Sequence, residues 1–188
     1  MSILNFFKSA TPGGKIAKED TCPEKSKKRI ICFTDGSSLG NGKKTAKSGF
    51  AVVFPHYPEY DVGIPLRGIN QTNNRAELSG IIKSFEIADI IDPKKEMTLI
   101  IYTDSELCIN SLSKWIFNWI RKDWKKSDGK PVLNIDLLKI ANMLQIERPH
   151  VYRHVRAHSK QLDWMSVYND KADQLAKDAA TKQFEIRP

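Results

Sequence analysis

Two short apolar segments end in the same way, and this repetition says more about the fold than any other feature. One reads Ile-Ile-Cys-Phe-Thr and ends at Asp35, and the other reads Leu-Ile-Ile-Tyr-Thr and ends at Asp104. Runs of this length, rich in β-branched and aromatic residues, are typical of buried strands. If the two strands are parallel neighbours, both aspartates lie at the same edge of a sheet, which is where open α/β folds bind ligands.

Strand and helix patterns alternate along the rest of the chain. Strands are predicted at 29–35, 49–55, 60–68, 98–104 and 151–156, and helices at 72–91, 105–112, 114–125, 134–144 and 168–182. The turn-forming residues 35–38 are expected to end the first strand. The order of the segments predicts an α/β domain in which a mixed five-stranded sheet, with three antiparallel strands plus two parallel ones, is flanked by helices.

The composition is that of one domain with short extensions. The chain has 188 residues, of which 40% are hydrophobic, so it can bury a core of ordinary size. It has no run of about 18 apolar residues, so we expect no membrane association. Its cysteines, Cys22, Cys32 and Cys108, lack the spacing of zinc ligands, and their odd number favours a reducing compartment inside the cell.

Positive charge is concentrated in two places. The formal net charge is +8; residues 1–29 carry seven Lys or Arg against three Asp or Glu, and residues 114–130 carry six against two. Two basic zones on a neutral body favour a polyanionic partner. We assign 1–28 to a flexible basic N-terminal tail, 29–183 to the globular domain and 184–188 to a C-terminal tail.

Two further acidic residues are expected to join the aspartates. Glu77 falls in the first turns of the helix 72–91, and Asp173 in those of the last helix. Four converging carboxylates repel one another unless cations neutralise them, and ligand sets made only of oxygen suit Mg²⁺ or Mn²⁺ rather than zinc. Taken singly, each acid has an ordinary explanation as a turn former, helix cap or solvated residue. The repeated strand ending favours a metal site instead.

Five motifs then point to a known family. They are FTDGSS (Phe33–Ser38), QTNNRAEL (Gln71–Leu78), YTDSELCIN (Tyr102–Asn110), VRAHS (Val155–Ser159) and NDKADQLA (Asn169–Ala176). Through them, the chain from residue 29 to about residue 182 resembles the catalytic domain of type 1 ribonucleases H, in the ribonuclease-H-like superfamily. The resemblance implies an endoribonuclease that hydrolyses the RNA strand of RNA/DNA hybrids by a two-metal-ion mechanism, leaving 5′-phosphate and 3′-hydroxyl ends.

The resemblance also implies roles for individual residues. Asp35, Glu77, Asp104 and Asp173 match the family's metal-binding tetrad, which holds two Mg²⁺ ions that Mn²⁺ can replace. His158 matches a mobile histidine that assists proton transfer or product release. Two alternatives remain: a related two-metal nuclease with another duplex preference, and a hybrid-binding module that has lost catalysis.

The sequence departs from the family pattern at two points. Fourteen residues separate His158 from Asp173, more than usual, and they include an apolar insert at 162–165. This affects the expected placement of the histidine and not the tetrad. Asn70 stands where the most similar family members carry a basic residue that contacts a DNA phosphate, so a weaker phosphate pocket is expected.

The same resemblance predicts how the hybrid is held. Residues 114–130 look like the family's basic protrusion, and the predicted substrate contacts fall in three groups. The first group lies on the protrusion and consists of Trp115, Trp119, Arg121, Lys122, Lys125, Lys126 and Ser127. The second is a pocket for a DNA phosphate, formed by Thr72, Asn73 and Asn134, and the third, Asn41 and Asn74, reads the RNA minor groove. Aromatic side chains among cations are typical of nucleic-acid contacts. For Trp124, packing on the core explains the residue equally well.

The N-terminal segment contains Ile-x-x-Phe-Phe at Ile3, Phe6 and Phe7. This is similar to the box with which replication and repair proteins bind a sliding clamp, although the usual leading glutamine is absent. The alternatives are a mitochondrial presequence and a simple apolar segment without a partner. The basic run 25–29 fits a nuclear import signal and a solvated run of charges equally well. We expect a monomer in the nucleus, with the cytoplasm or mitochondrion as alternatives, acting in DNA replication or R-loop removal.

Overall fold

A five-stranded sheet carries the fold in the computed structural model, which describes residues 21–156 and 163–182. Its strands are β1 (Arg29–Leu39), β2 (Lys47–Val53), β3 (Val62–Pro65), β4 (Thr98–Thr103) and β5 (His150–His154). They lie in the order β3-β2-β1-β4-β5. β3 and β1 each pair with β2 in antiparallel fashion, whereas β4 is parallel to both β1 and β5. This arrangement confirms the predicted mixed sheet.

In the described part of the chain, five α-helices flank the sheet, in the predicted order. They are α1 (Asn73–Ile91), α2 (Glu106–Asn110), α3 (Ile116–Arg121), α4 (Ile135–Glu147) and α5 (Trp164–Lys182); a π-helical turn, Ser111–Trp115, joins α2 to α3. No helix in the described part of the chain is both long enough and apolar enough to span a bilayer.

The first strand is longer than the sequence indicates. Residues 35–38 were expected to end it, but β1 continues to Leu39 because this segment pairs with β2, from Asp35 opposite Ala51 to Leu39 opposite Lys47. The partner strand satisfies the backbone groups that a turn would otherwise leave to solvent. Asp35 therefore lies within β1, just beyond the last residue pair that β1 makes with β4.

The last helix also begins earlier than predicted. It begins at Trp164 rather than near residue 168, because Asp163 accepts a hydrogen bond from the backbone N–H of Ser166 at 2.8 Å and so caps the first turn. Trp164 is buried against the rings of Phe33 and Tyr102. Trp164 and Met165, which looked like an insert in a loop, therefore form the first turn of α5.

The alternation of side chains along β1 separates two layers of core. Ile30 and Cys32 pack on the face covered by α1, whereas Ile31 and Phe33 pack on the face covered by α5. Successive side chains in a strand point to opposite faces. Asp35 continues the series that faces α5, so it projects toward that helix.

The end of the predicted tail contacts the domain. Cys22 packs beside the cluster formed by Ile31 and Phe33, and the Lys25 ammonium lies 3.8 Å from the centre of the Tyr57 ring. The folded part of the chain therefore begins before residue 29. The boundary at residue 183 stays a prediction.

Candidate active site

Three carboxylates from three different elements meet at one edge of the sheet. Asp35 comes from β1, Glu77 from the second turn of α1, and Asp104 directly follows β4. One carboxylate oxygen of each residue lies within 4.8 Å of the other two. The parallel pairing of β1 with β4 places the two aspartates side by side, as their matching positions in the sequence predict.

Gly36 lets α1 lie close enough to bring Glu77 into this group. A Cβ atom at position 36 would be 2.3 Å from the backbone nitrogen of Glu77 and 2.7 Å from the carbonyl carbon of Ala76. Any larger residue would push the first turns of α1 away from β1. The glycine after Asp35 is therefore part of what assembles the site.

The carboxylates strongly favour a bound proton or cation. Burial and the neighbouring Asp104 and Asp173 raise the pKa of Asp35 from 3.8 to about 7, although the N–H of Gly36 donates to its Oδ1 at 2.8 Å. Burial, together with Asp35 and Asp104, raises the pKa of Glu77 well above its ordinary value. Glu77 Oε2 is buried and has no hydrogen-bond partner among the described residues.

Asp173 reaches the same site from α5. A hollow of about 390 Å³ brings it together with the three carboxylates and with Lys177. Oδ2 of Asp173 accepts a hydrogen bond from Nζ of Lys177 at 2.6 Å. Asp170 is exposed and does not line this hollow. The geometry thus gathers the four acids that the sequence singles out.

A second hollow, of about 510 Å³, lies at the N-terminus of α1. Its lining includes the five residues predicted to hold a DNA phosphate or read the minor groove: Asn41, Thr72, Asn73, Asn74 and Asn134. Oδ1 of Asn41 accepts from the backbone N–H of Asn73 at 3.3 Å, which joins the β1–β2 loop to the helix. Asn73 lines both hollows, so they are neighbours.

Comparison with known proteins then decides the family. The sequence matches the RNase H family over residues 27–181.

The chain belongs to the RNase H family.

Two curated relatives show the extent of the match. The chain is 37% identical over 154 residues to "Ribonuclease H" of Schizosaccharomyces pombe, and the match covers 82% of this chain and 54% of that protein. It is 35% identical over 155 residues to "Ribonuclease H" of Mannheimia succiniciproducens, with 82% and 89% covered. The chain thus spans about half the length of the yeast protein and most of the bacterial one.

The fold agrees with solved RNase H structures. The crystal structure of LC11-RNase H1 in complex with RNA/DNA hybrid superposes with a TM-score of 0.56 at 23% identity, covering 83% of this chain and 99% of that one. At this identity the likeness supports the fold.

At the end of the basic segment, residues 125–131 form an exposed hairpin-like loop. A bridge joins Lys125 to Pro131, and Lys126 and Lys130 close the tip through a backbone hydrogen bond of 2.8 Å. Val132, which follows the loop, is buried in the core, and its backbone N–H donates to the carbonyl oxygen of Trp124 at 2.9 Å. The other predicted contacts in this region are also exposed, except half-buried Trp119: Trp115, Arg121, Lys122 and Ser127.

The tryptophans of this region divide between core and surface. The rings of Trp115 and Trp119 lie 5.8 Å apart, and Trp115 is 39% exposed. Trp119 and Trp124 pack partly against the core, and the Lys139 ammonium lies 5.5 Å from the centre of the Trp124 ring. Core packing thus accounts for Trp124, and Trp115 offers more free surface than Trp119.

Four predicted site residues lie outside the described part of the chain: His158, Ile3, Phe6 and Phe7. Their roles stay predictions.

Three side chains at the site were missed from the sequence. Lys177 contacts Asp173, and Arg75 makes a two-armed ion pair with Asp136, with N···O distances of 2.9 and 2.6 Å. The spacing of Asp173 and Lys177, four residues apart on a helix, is a signal for the first pair. The second pair joins residues 61 apart, and no local pattern predicts it.

Proposed function

We propose that this chain is an endoribonuclease that hydrolyses the RNA strand of RNA/DNA hybrids with divalent metal ions, leaving 5′-phosphate and 3′-hydroxyl ends. The observation that carries the proposal is the group formed by Asp35, Glu77 and Asp104, whose oxygens lie within 4.8 Å of one another. Membership of the RNase H family supplies the reaction.

The donor set suits a hard divalent cation. It contains only carboxylate oxygens, which Mg²⁺ and Mn²⁺ prefer, and one buried oxygen, Oε2 of Glu77, has no partner among the described residues. We infer that Asp35, Glu77, Asp104 and Asp173 together hold two Mg²⁺ ions, with Mn²⁺ as a substitute. The chemistry that such ions supply is activation of the attacking water and stabilisation of the leaving oxygen.

The chain itself positions the hybrid against these carboxylates. Asn41 and Asn74 offer amide groups that can donate to and accept from a 2′-hydroxyl, which distinguishes RNA from DNA. Asn73 lies between the two hollows and donates from its side-chain amide to Glu77. A nucleotide held at Asn73 would therefore place its neighbour beside the acidic group.

The DNA strand is proposed to lie along two surfaces. One is the hollow at the N-terminus of α1, called the phosphate hollow, and the other is the stretch from Arg121 to Pro131, called the basic loop. Thr72 and Asn134 line that hollow, which also contains Arg75. Asn70, which also lines this hollow, is uncharged. Arg75 is therefore the basic residue among the lining residues, and its positive charge is paired with Asp136. Exposed Lys125 adds sequence-independent attraction to phosphates.

The proposal extends to proton transfer and cellular context. His158 is proposed to assist proton transfer or product release near the acidic group. The N-terminal segment is proposed to bind a sliding clamp, and the protein to act as a monomer in the nucleus. These parts rest on the resemblance of the motifs and on the basic run 25–29.

Labelled duplexes test the reaction directly. RNA/DNA, RNA/RNA and DNA/DNA duplexes are incubated with the protein in Mg²⁺, Mn²⁺ or EDTA, and the ends of the fragments are tested by ligation. We expect cutting of the RNA in the hybrid alone, and none in EDTA. Asp104→Asn should abolish cutting while keeping hybrid binding, whereas Asp128→Asn, on the exposed loop, should cut normally.

Two other results of this experiment would favour the alternative functions. Hybrid binding without cutting under any metal condition would indicate a binding module. Cutting of RNA/RNA or DNA/DNA duplexes at a similar rate would indicate a nuclease of other specificity.

A further inference from the structure

Asp173 lines the same hollow as the other three acids and interacts with Asp35, but it does not belong to the compact group that those three form. Among residues 21–156 and 163–182, the group whose ligand oxygens lie within 4.8 Å of one another consists of Asp35, Glu77 and Asp104. Oδ2 of Asp173 is instead 2.6 Å from Nζ of Lys177. The fourth carboxylate is thus already engaged by a cation that belongs to the chain.

Helix geometry builds this pair into α5. Residues four positions apart lie on the same helix face, and the acid precedes the base, which is the favourable order. Lys177 also lines the hollow together with Asp35 and Asp104, so its positive charge lies in the field of the whole acidic group.

The pair can open without disturbing the fold. The side chain of Lys177 is 47% exposed and that of Asp173 is 20% exposed. An ion pair with one partner this accessible is weak, since water replaces the partner readily. Neighbouring Ala176 and Ala180 on α5 are fully buried and hold the helix in place independently of Lys177.

We propose that Lys177 is a tethered counter-cation, which holds Asp173 in the metal-free protein and must release it before that carboxylate binds a metal ion. Lys177 is a positioning residue in this scheme, since it acts through Asp173. The inference rests on the proposed function, because it takes the acidic group to be a divalent-metal site. It predicts that Lys177 lowers the affinity of the free enzyme for metal, before any nucleic acid is present.

Calorimetric titration of Mn²⁺, repeated with Mg²⁺, into the full chain without nucleic acid tests this. Lys177→Met should bind metal about two- to fivefold more tightly than wild type, the range expected when an exposed ion pair is removed. Lys177→Arg keeps a cation within reach and should stay near wild type. Lys182→Met, which removes the same charge farther along α5, is the matched control and should also stay near wild type.

The double variant decides whether Lys177 acts through its partner. In an Asp173→Asn background, Lys177→Met should raise the metal affinity much less than it does in the wild-type background, because only the weaker attraction of Lys177 to the other acids remains. An equal gain in both backgrounds would show a general charge effect and overturn the proposal. If the wild type binds metal and the single variant Lys177→Met binds it equally or less tightly, this inference is wrong but the metal site stands. Absence of metal binding in every variant would overturn the metal site as well.

Discussion

The side-chain amide of Asn73 donates a hydrogen bond to Oε1 of Glu77, with 3.4 Å between nitrogen and oxygen. Both residues lie on α1, four positions apart, and Asn73 lines the phosphate hollow as well as the acidic one. One side chain therefore connects the surface proposed to grip the hybrid with a carboxylate proposed to hold metal.

Replacing Asn73 should affect binding and chemistry together. Asn73→Ala removes a substrate contact and a hydrogen bond to Glu77, so we expect a higher KM and a lower kcat, each by about three- to tenfold, as for one hydrogen bond. Asn134 lines the phosphate hollow only, at φ 58°, a value that glycine also adopts. Asn134→Gly should therefore raise KM and leave kcat nearly unchanged. Steady-state kinetics on a hybrid would contradict this if the two variants behaved alike.

The acidic group should destabilise the metal-free protein, increasingly as pH rises. The pKa of Asp35 is 3.8 ordinarily and about 7 in the fold, so between these values the folded state binds more protons than the unfolded state. Stability then falls as pH rises from about 4 to about 7 and stays low above that range. Asp35→Asn removes this cost, so in EDTA at pH 8 we expect it to be more stable by about 2–4 kcal/mol.

Thermal and urea unfolding across pH 4–8 would measure this. The gain in Asp35→Asn should shrink toward pH 4, and Asp170→Asn, an exposed acid on α5, should show no such gain. A gain of equal size at every pH would mean that the variant stabilises the fold by another route.

The site could be predicted from the sequence where local patterns determine the geometry. The two apolar strands end alike, so parallel pairing of these strands is enough to place Asp35 and Asp104 beside each other. Glu77 follows, since Gly36 allows the helix to approach. The length of β1 could not be predicted, because residues 35–38 have turn chemistry and only pairing with β2 keeps them extended.

Other features depend on long-range packing. The Arg75–Asp136 pair exists because α1 docks against α4, and neither helix indicates the other in its own pattern. Trp164 looked like part of an insert because its burial depends on Phe33 and Tyr102, far away in the sequence. The spacing on α5 predicts that Lys177 pairs with Asp173, but the position of this pair beside Asp35 and Asp104 depends on how α5 docks against the sheet.

Asp173 and Asp170 should differ sharply in their effect on activity. Asp173 lines the acidic hollow and contacts Lys177, whereas Asp170 is exposed one turn earlier on α5. Asp173→Asn should lose most Mg²⁺-supported cleavage, and Asp170→Asn should lose little. Single-turnover cleavage of a labelled hybrid at saturating protein compares the two. The reverse ranking would place the last ligand elsewhere.

Neutralising the basic loop should change binding and not chemistry. With Arg121, Lys122, Lys125 and Lys126 replaced by Ala, we expect a higher KM, an unchanged kcat, and a salt dependence reduced by roughly one unit of slope for each phosphate that the loop no longer neutralises. The double variant Lys83→Ala/Lys94→Ala, near the C-terminal half of α1, is the control and should keep the wild-type slope. An unchanged KM and slope in the quadruple variant would show that the loop does not hold the substrate.

The N-terminal segment should bind a sliding clamp through Ile3, Phe6 and Phe7. A short segment loses entropy when it becomes ordered, so its affinity must come from apolar anchors in pockets. The absent glutamine removes a polar contact, and we therefore expect binding on the order of micromolar or weaker. Calorimetry with a peptide of residues 1–20 and the clamp of the same source measures it, and Phe6→Ala/Phe7→Ala should abolish the heat while hybrid cleavage by the full chain stays unchanged. No heat at high peptide concentration, together with mitochondrial import of a fusion carrying these residues, would favour the presequence.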